Sequence, residues 1–189
     1  MSQAVGILLA AGQSTRFGSN KLLHPITDNT PMLLVSAEKL ACVLPGSIVV
    51  ISEDLVSYTA QLEQLGLRVV VNHHAEQGMG RSIACGVAAS QDASGWLIML
   101  ADMPYIKPET IQLLADALTD SNRIIAPMLK QQRGHPVGFG LSYKNDLLAL
   151  HKDMGAREII SNNQSQLEIV AVSDSGVIKD IDQPTDLLS

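Results

Sequence analysis

Short apolar runs alternate with longer amphipathic stretches along most of the chain. Continuous apolar runs are typical of strands buried on both faces, as in a parallel sheet that helices cover on each side. The pattern predicts strands at 5–9, 47–51, 67–71, 96–100, 123–126, 136–140 and 167–172. It predicts helices at 31–44, 54–65, 78–90, 108–118, 142–150 and 155–161, and a short helix that starts at Pro184. This order indicates an α/β fold, a three-layer α/β/α sandwich with a mostly parallel sheet.

Local signals support several of these boundaries. Thr30 followed by Pro31 is typical of a helix start, in which the hydroxyl caps the helix and the proline is its first residue. Gly66 is a stop signal for the helix at 54–65. Ligands of such folds bind beyond the carboxyl ends of the strands, so the residues that follow the strands are the candidates for a site.

The composition narrows the class of protein. A chain of 189 residues is most simply one domain, 1–189, and its hydrophobic share of 46% supplies an aliphatic core. The net charge of −6 and the lack of a basic stripe with interleaved aromatic residues argue against nucleic acid as a partner. No signal-peptide pattern and no apolar run of ~18 residues is present, so we expect a cytoplasmic protein with no membrane partner. Cys42 and Cys85 lie in apolar helical contexts, which predicts buried free thiols.

The first strand opens into a loop of small residues that carries an arginine and then a lysine. Gly12, Arg16, Gly18 and Lys21 follow the strand at 5–9. Small residues let the backbone N–H groups approach phosphates, and the two cations can neutralise them, which predicts a nucleoside triphosphate site. The glycine spacing matches neither Walker A nor G-x-G-x-x-G. The alternative is an ordinary turn between a strand and a helix.

Carboxylates at two places could hold a metal ion. Asp102 comes directly after the apolar strand at 96–100, where Asp is a poor choice for packing but a good ligand for Mg²⁺ beside phosphate oxygens. Asp180 and Asp182 alternate on an extended segment and should share a face, so that one of them could complete a metal site with Asp102. The alternatives are a turn or a helix cap for Asp102, and a solvated face with a helix cap for the later pair.

Two further segments carry candidate binding residues. The segment 72–82 follows the third strand, which we expect beside the first, and there Asn72, Gly78, Met79 and Ser82 could contact a base or a ribose. In Gly-His-Pro at 134–136, His135 could lie over an acceptor substrate, and the alternative is a structural turn with a hydrogen-bonded histidine.

These motifs together resemble the molybdenum cofactor nucleotidyltransferases, over almost the whole chain and in order. The resemblance rests on Leu9-Ala10-Ala11-Gly12-x-Ser14-x-Arg16-Phe17-Gly18-x-x-Lys21, Gly78-Met79-Gly80-Arg81-Ser82, Leu100-Ala101-Asp102-Met103-Pro104, Gly134-His135-Pro136-Val137 and Asp180-Ile181-Asp182-x-Pro184. It implies a Rossmann-like nucleotide-diphospho-sugar transferase fold. In the cytidylyltransferase branch, which this chain resembles most, CMP passes from CTP to molybdopterin with release of pyrophosphate.

The resemblance also implies roles for single residues. Lys21, Arg16 and Asp102 would be catalytic, Asp102 and Asp182 would hold Mg²⁺, and His135 and Asp180 would contact the acceptor. The nucleotide would lie against Leu9, Ala10, Ala11, Gly12, Ser14, Arg16, Lys21, Asn72, Gly78, Met79 and Ser82.

The choice of branch depends on Ala11. Cytidylyl members tend to have Ala-Ala-Gly where guanylyl members have Ala-Gly-Gly, and a methyl group at Ala11 would crowd a purine more than a pyrimidine. Gly138 departs from the family, which usually has a larger apolar residue there, and this bears on the shape of the acceptor pocket.

Three other functions remain open at this stage. The first is a guanylyltransferase, and the second is another nucleotidyltransferase of the same fold that acts on a sugar phosphate or an isoprenoid phosphate. The third is a delivery module that docks on a molybdenum hydroxylase lacking its cofactor. The presence of Arg16, Lys21 and Asp102 favours a working enzyme.

Overall fold

A central sheet with helices on both faces organises the molecule. The structure, a computed structural model, describes residues 4–12, 20–151, 155–183 and 185–186. The strands in this part of the chain are β1 (Val5–Ala10), β2 (Pro25–Thr27), β3 (Thr30–Pro31), β4 (Ile48–Ile51), β5 (Arg68–Val71), β6 (Gly95–Leu100), β7 (Ile124–Leu129), β8 (Gln132–Arg133), β9 (Val137–Gly140) and β10 (Leu167–Ala171). The α-helices are α1 (Met32–Val43), α2 (Thr59–Gln64), α3 (Met79–Ala88), α4 (Pro108–Ala117), α5 (Lys144–Leu148) and α6 (Arg157–Asn162).

The strand order explains where a site can form. The main sheet runs β10-β7-β9-β6-β1-β4-β5, and β8 pairs with β7. Strands β6, β1, β4 and β5 are mutually parallel, β9 is antiparallel to both its neighbours, and β10 is parallel to β7. The carboxyl ends of β1 and β6 therefore lie side by side at one edge of the sheet, where such folds bind their ligands.

Alternate residues of the central strands enter two separate apolar cores. On one face Leu8 and Met99 pack with side chains from α1, α2 and α4. On the other face Ile7 and Trp96 pack with side chains from α3, α5 and α6. Side chains of a strand alternate between faces, so an apolar run is needed where both faces are covered. The three-layer sandwich with a mostly parallel sheet is thus confirmed.

Several predicted boundaries are wrong. Thr30 does not cap α1, because Thr30–Pro31 pairs with β2 in a small antiparallel ribbon and the helix begins at Met32 with no side-chain cap. The segment predicted as one helix from 54 to 65 starts as a 3₁₀ helix, Glu53–Tyr58, before α2. The helix predicted at 142–150 likewise starts as a 3₁₀ turn, Leu141–Tyr143. The short helix predicted to begin at Pro184 falls on a residue outside the described part of the chain.

Two further expectations need correction. The third predicted strand, β5, lies at the edge of the sheet with β4 between it and β1, so it is not a neighbour of the first strand. Cys42 is exposed on α1, and Cys85 is only partly buried at the margin of the second core. Their contexts are apolar in sequence, but helical periodicity places neighbours in sequence on different sides.

None of the helices in the described residues is long and apolar enough to cross a membrane.

Candidate functional site

Lys21 lies on a short 3₁₀ turn, Lys21–Leu23, whose backbone is fixed on both sides. The Leu22 N–H donates to the Asn20 side-chain oxygen at 3.1 Å, and Leu22 is buried in the first core. The Asn20 amide in turn donates to Asp54 Oδ2 at 2.5 Å. The hydrogen bonds from Ser52 and Asn20 lower the pKa of Asp54 despite its partial burial. The turn thereby places the Lys21 ammonium group at the edge of the sheet.

Asp102 follows β6 in a turn that is held from two directions. The Ala101 N–H donates to the Leu9 carbonyl oxygen at 3.1 Å, which extends the β1–β6 pairing past the end of the strand. On the other side, the Ser36 hydroxyl of α1 donates to the Ala101 carbonyl at 2.9 Å. The backbone before the carboxylate is therefore rigid, and the carboxylate projects over the end of the sheet.

Asp182 is brought to the same place by a backbone hydrogen bond. The Ile181 N–H donates to the Asp102 carbonyl oxygen at 2.9 Å, and the Ile181 side chain is fully buried. The N–H groups of Asp182 and Gln183 both donate to Asp186 Oδ2, at 2.9 and 2.8 Å. This segment consequently holds Asp182 next to Asp102.

The three charged groups meet at one point. Lys21 Nζ lies 2.8 Å from Asp102 Oδ2 and 2.7 Å from Asp182 Oδ1. The Lys21 side chain is 14% exposed. Burial lowers the Lys21 pKa, but the hydrogen bonds and charges of Asp102 and Asp182 outweigh it, so the pKa lies above its usual value. Lys21 is therefore a cation throughout the physiological pH range.

The donor set fits a divalent cation. Mg²⁺ and Mn²⁺ favour carboxylate oxygens and leave room for phosphate oxygens and water. Two carboxylates already surround one positive group here, and Asp102 Oδ1 is buried without a hydrogen-bond partner in the described part of the chain. The described residues contain no group of three or more His, Cys, Asp or Glu side chains placed to hold a metal ion. The remaining ligands would have to come from the substrate and from water.

A cavity of about 350 Å³ lies beside Asp102 at the ends of β1 and β6. Its lining includes much of the predicted nucleotide site, namely Leu9, Ala11, Gly12, Gly78, Met79 and Ser82, and also Ala75, Glu76, Leu100 and Asp102. Ala10 is almost fully buried beneath it and is absent from the lining. A Cβ atom at Gly12 would meet no atom of the described residues within 4 Å.

Asn72 lies behind this cavity. It is 2% exposed, its amide donates to the Ser82 hydroxyl at 3.0 Å, and its oxygen accepts from the His74 N–H at 3.0 Å. Asn72 therefore joins the loop after β5 to the first turns of α3. The structure shows it as a support for Ser82, which lines the cavity, and its contact with the nucleotide stays a prediction.

A second, larger cavity adjoins the first, and Met79 and Leu100 line both. Its volume is about 760 Å³. The floor is apolar, formed by Ile83, Ile98, Val137, Phe139 and Ile160, and the polar side chains around it are Arg133, His135, Arg157, Glu158 and Ser161. An apolar cavity with a few polar groups is typical of a small-molecule site.

His135 links this second cavity to the charged groups. Gly134 fits so closely against Val177 that a Cβ atom would lie 2.0 Å from the Val177 carbonyl oxygen, and the His135 N–H donates to that oxygen at 2.8 Å. Nδ1 of His135 is buried and lacks a partner among the described residues. Burial lowers the His135 pKa, although the negative charges of Asp102 and Asp180 oppose the effect. The ring is therefore neutral near pH 7 and has an unused polar atom.

Gly138 falls differently from expectation. It does not shape the acceptor cavity, because a Cβ atom there would contact Leu118 and Ile125 on the opposite face of the sheet. Asp180 is exposed and its charge acts on His135, and its contact with the acceptor stays a prediction. Ser14 and Arg16, predicted for the phosphates, lie outside the described residues.

Sequence reasoning missed Asp174, which holds the whole late segment in place. Its side chain is 4% exposed and accepts from the Lys107 N–H, the Thr110 hydroxyl and the Gly176 N–H, at 2.8, 2.8 and 2.9 Å. The pattern Asp-x-Gly, typical of a turn in which the aspartate accepts from the backbone two residues on, is the signal that could have found it.

Comparisons with known proteins identify the family of the chain. The family model described as "MobA-like NTP transferase domain" matches residues 6–168. The purine catabolism protein PucB of Bacillus subtilis is 30% identical over 190 residues, which are 95% of this chain and 92% of that protein. A probable molybdenum cofactor guanylyltransferase of Thermococcus sibiricus is 26% identical over 150 residues, which are 78% of this chain and 72% of that protein.

A solved structure extends the likeness to the fold. Rv0371c of Mycobacterium tuberculosis superposes with a TM-score of 0.85 at 27% identity, over 98% of this chain and 95% of that one. A second structure of that protein, in complex with manganese, gives a TM-score of 0.81. The family model spans most of the sequence and the fold is shared along the whole described chain. The chain therefore belongs to the family defined by the MobA-like NTP transferase domain, a family of nucleotidyltransferases.

Proposed function

We propose that the protein transfers CMP from CTP to the phosphate of molybdopterin, with release of pyrophosphate and with Mg²⁺ as cofactor. The observation that supports this most is the meeting of Lys21, Asp102 and Asp182 beside two adjoining cavities. A transferase of nucleotides needs two neighbouring substrate sites and charged groups beside them. Asp102 lines the smaller cavity, which shares Met79 and Leu100 with the larger one, and this supports the proposal.

The two cavities suit different substrates. The smaller one lies beside the loop predicted to hold phosphates, and in this proposal it takes the nucleotide. The larger one has an apolar floor and two arginines, Arg133 and Arg157, and it takes the acceptor. Guanidinium groups pair well with phosphate, and an apolar floor suits a flat ring system. The neutral His135 ring would offer a hydrogen bond to a polar edge of that ring.

The reaction would require positioning and charge neutralisation. An oxygen of the acceptor phosphate forms a bond to the α-phosphorus of CTP, and the bond between that phosphorus and the pyrophosphate oxygen breaks. Lys21 would neutralise charge on the α-phosphate, and Arg16 would hold the leaving pyrophosphate. The attacking group is already an anion, so the proposal needs no general base.

Asp102 and Asp182 would hold Mg²⁺, which when bound supplies charge neutralisation and a fixed orientation of phosphate oxygens. The fit rests on the two converging carboxylates and on the unpartnered Asp102 Oδ1. The manganese complex of Rv0371c supports a divalent metal in this fold.

A panel of substrates tests the proposal. The purified protein is given each nucleoside triphosphate with molybdopterin, a sugar phosphate or an isoprenoid phosphate, and pyrophosphate release is measured. The proposal expects turnover with CTP and molybdopterin; turnover with GTP in its place would assign the guanylyl branch, which the name of the Thermococcus relative favours.

Variants test the roles of single residues. Lys21→Ala should lower kcat by about 100-fold or more. A positive group that neutralises the charge of the transition state typically stabilises that state by a few kcal/mol. Asp102→Ala should remove metal-dependent turnover. Lys144→Ala is the matched control, because Lys144 lines neither cavity and bonds only the Gln91 carbonyl in the described contacts. A Lys21→Ala protein that works at the wild-type rate would remove this lysine from the mechanism.

The product must also reach an enzyme that uses it. We propose that a molybdenum hydroxylase lacking its cofactor is the receiving partner. Binding of such an apo-hydroxylase to the inactive Asp102→Ala variant, measured by co-purification, would support delivery as a second role separate from catalysis.

A further inference from the structure

We infer that the Lys21 ammonium group is a built-in substitute for the divalent cation, and that metal binding moves Lys21 from the carboxylates to the nucleotide phosphates. The inference rests on the proposed function only in taking Asp102 and Asp182 as the metal ligands. It concerns which cation the two carboxylates bind before and after the metal ion and the nucleotide enter the site.

The ammonium group occupies the position that a metal ion bound by both carboxylates would need. Lys21 Nζ bridges Asp102 Oδ2 at 2.8 Å and Asp182 Oδ1 at 2.7 Å, and these oxygens come from segments far apart in sequence. Two cations cannot share one position between two carboxylates, because they repel each other at close range. A metal ion that takes both carboxylates must therefore displace the lysine.

The lysine is built so that it can be displaced. The backbone of its turn is held by Asn20 and by the buried Leu22 side chain, so the turn can remain in place while the lysine side chain moves. A lysine side chain carries a compact charge at the end of a flexible four-carbon chain, so the ammonium group can move between two anionic partners. The first of these is the carboxylate pair, and the second is the triphosphate in the adjoining cavity.

The arrangement without ligands leaves one carboxylate oxygen unsatisfied. Asp102 Oδ1 is buried and finds no hydrogen-bond partner among the described residues, whereas Oδ2 of the same group binds Lys21. A buried acceptor without a partner is costly. A hydrated divalent cation could satisfy both oxygens of Asp102, so Lys21 is an incomplete substitute.

This exchange couples the metal to the nucleotide. Without a nucleotide, a metal ion has to expel Lys21 from its two partners and finds no third protein carboxylate in the described residues, so it should bind weakly. With a triphosphate present, the lysine has a second anion to bind and the metal gains phosphate ligands. Each ligand should therefore raise the affinity of the other by the same factor.

The test measures metal binding without any turnover. Mn²⁺ is titrated into the nucleotide-free protein and free Mn²⁺ is followed by electron paramagnetic resonance. We expect Lys21→Met to bind Mn²⁺ at least 10-fold more tightly than the wild type, because the competing cation is gone. Lys21→Arg keeps the charge and should bind as weakly as the wild type. Lys144→Met, a lysine change outside both cavity linings, should leave the affinity unchanged.

A second titration tests the coupling between metal and nucleotide binding, with a replacement variant in case Lys21→Met does not fold. A non-hydrolysable CTP analogue should raise the Mn²⁺ affinity of the wild type by a larger factor than that of Lys21→Met, or of Lys21→Gln if the methionine variant does not fold. Equal or weaker Mn²⁺ binding by the neutral variants, without nucleotide, would overturn the inference. Tight Mn²⁺ binding by Lys21→Met, together with a wild-type protein that transfers no CMP from CTP, would refute the proposed function and leave this inference standing.

Discussion

Replacement of Asp174 by alanine should destabilise the protein strongly, although Asp174 is outside the proposed site. The carboxylate accepts three hydrogen bonds, from the Lys107 N–H, the Thr110 hydroxyl and the Gly176 N–H. Alanine leaves all three donors without their acceptor, and each buried donor left unpaired costs about 1–3 kcal/mol. A shallow cavity lined by Lys107, Thr110 and Asp174 admits water, which can replace part of the loss. We therefore expect about 3 kcal/mol, near the lower end of the summed range.

That loss is large against a domain stability of about 5–15 kcal/mol. Urea denaturation of the purified Asp174→Ala protein measures it. Asp116→Ala is the matched control, because Asp116 is an aspartate on α4, the helix that carries the Asp174 partner Thr110. Asp116 is exposed and accepts only from Gln112 in the described contacts, so its removal should change the stability by less than about 0.5 kcal/mol. The reasoning fails if Asp174→Ala and Asp116→Ala are equally stable.

Asp174 should also matter for the site itself. It starts the segment that carries the Val177 carbonyl, to which the His135 N–H donates, and that ends at Asp182 beside Lys21. Asp174→Asn keeps the shape and one acceptor oxygen, so it should fold. We expect this variant to bind the metal ion or the acceptor more weakly than the wild type does, and to bind the nucleotide with a smaller loss of affinity. Separate titrations of the three ligands measure these affinities.

Three other substitutions test local features of the site. Gly134→Ala should unfold at a clearly lower temperature than the wild type, because Gly134 has no room for a Cβ atom. Gly12→Ala should melt normally, because a Cβ atom there would meet no atom of the described residues within 4 Å. Ala11→Gly should change the ratio of CTP to GTP turnover by roughly 10-fold or more if its methyl group excludes a purine, and an unchanged ratio would refute the steric argument. Since burial lowers the His135 pKa, the folded state binds fewer protons than the unfolded state just below the ordinary value near 6.5. The free energy of unfolding of the wild type should therefore fall as the pH drops through this region. Urea denaturation at several pH values should show a smaller fall for His135→Gln, and an unchanged fall for His151→Gln, which replaces an exposed histidine.

The sequence was most informative where a charged residue stands directly after a buried strand or a loop of small residues. Asp102 could be predicted because a charged residue directly after an apolar strand is unusual, and Lys21 because it follows a loop of small residues after the first strand. The layers could be predicted because apolar runs such as Ile98–Leu100 leave few alternatives to a strand covered on both faces. These inferences use only short stretches of sequence.

The rest depends on contacts between distant residues. The hydrogen bond from Asn72 to Ser82 could not be predicted, because only the packing of α3 against the sheet brings the two side chains together. Gly138 was placed in the acceptor pocket, yet one step along a strand reverses the face to which a residue points. The small ribbon of β2 and β3 replaced a helix cap at Thr30 because strand pairing used the residues before the helix.

The hydrogen bond from Ile181 to Asp102 has a kinetic consequence for how the active form arises. Lys21 and Asp182, which this bond brings together, are separated by 161 positions, so their contact closes one of the longest loops in the chain. Contacts of this kind carry the largest loop-closure entropy and tend to form late in folding. The buried Trp96, the only tryptophan, lies in the central sheet and reports the core instead. We expect that Trp96 fluorescence recovers on refolding before Mn²⁺ binding does, so that a preparation judged native by its fluorescence can still lack a completed site.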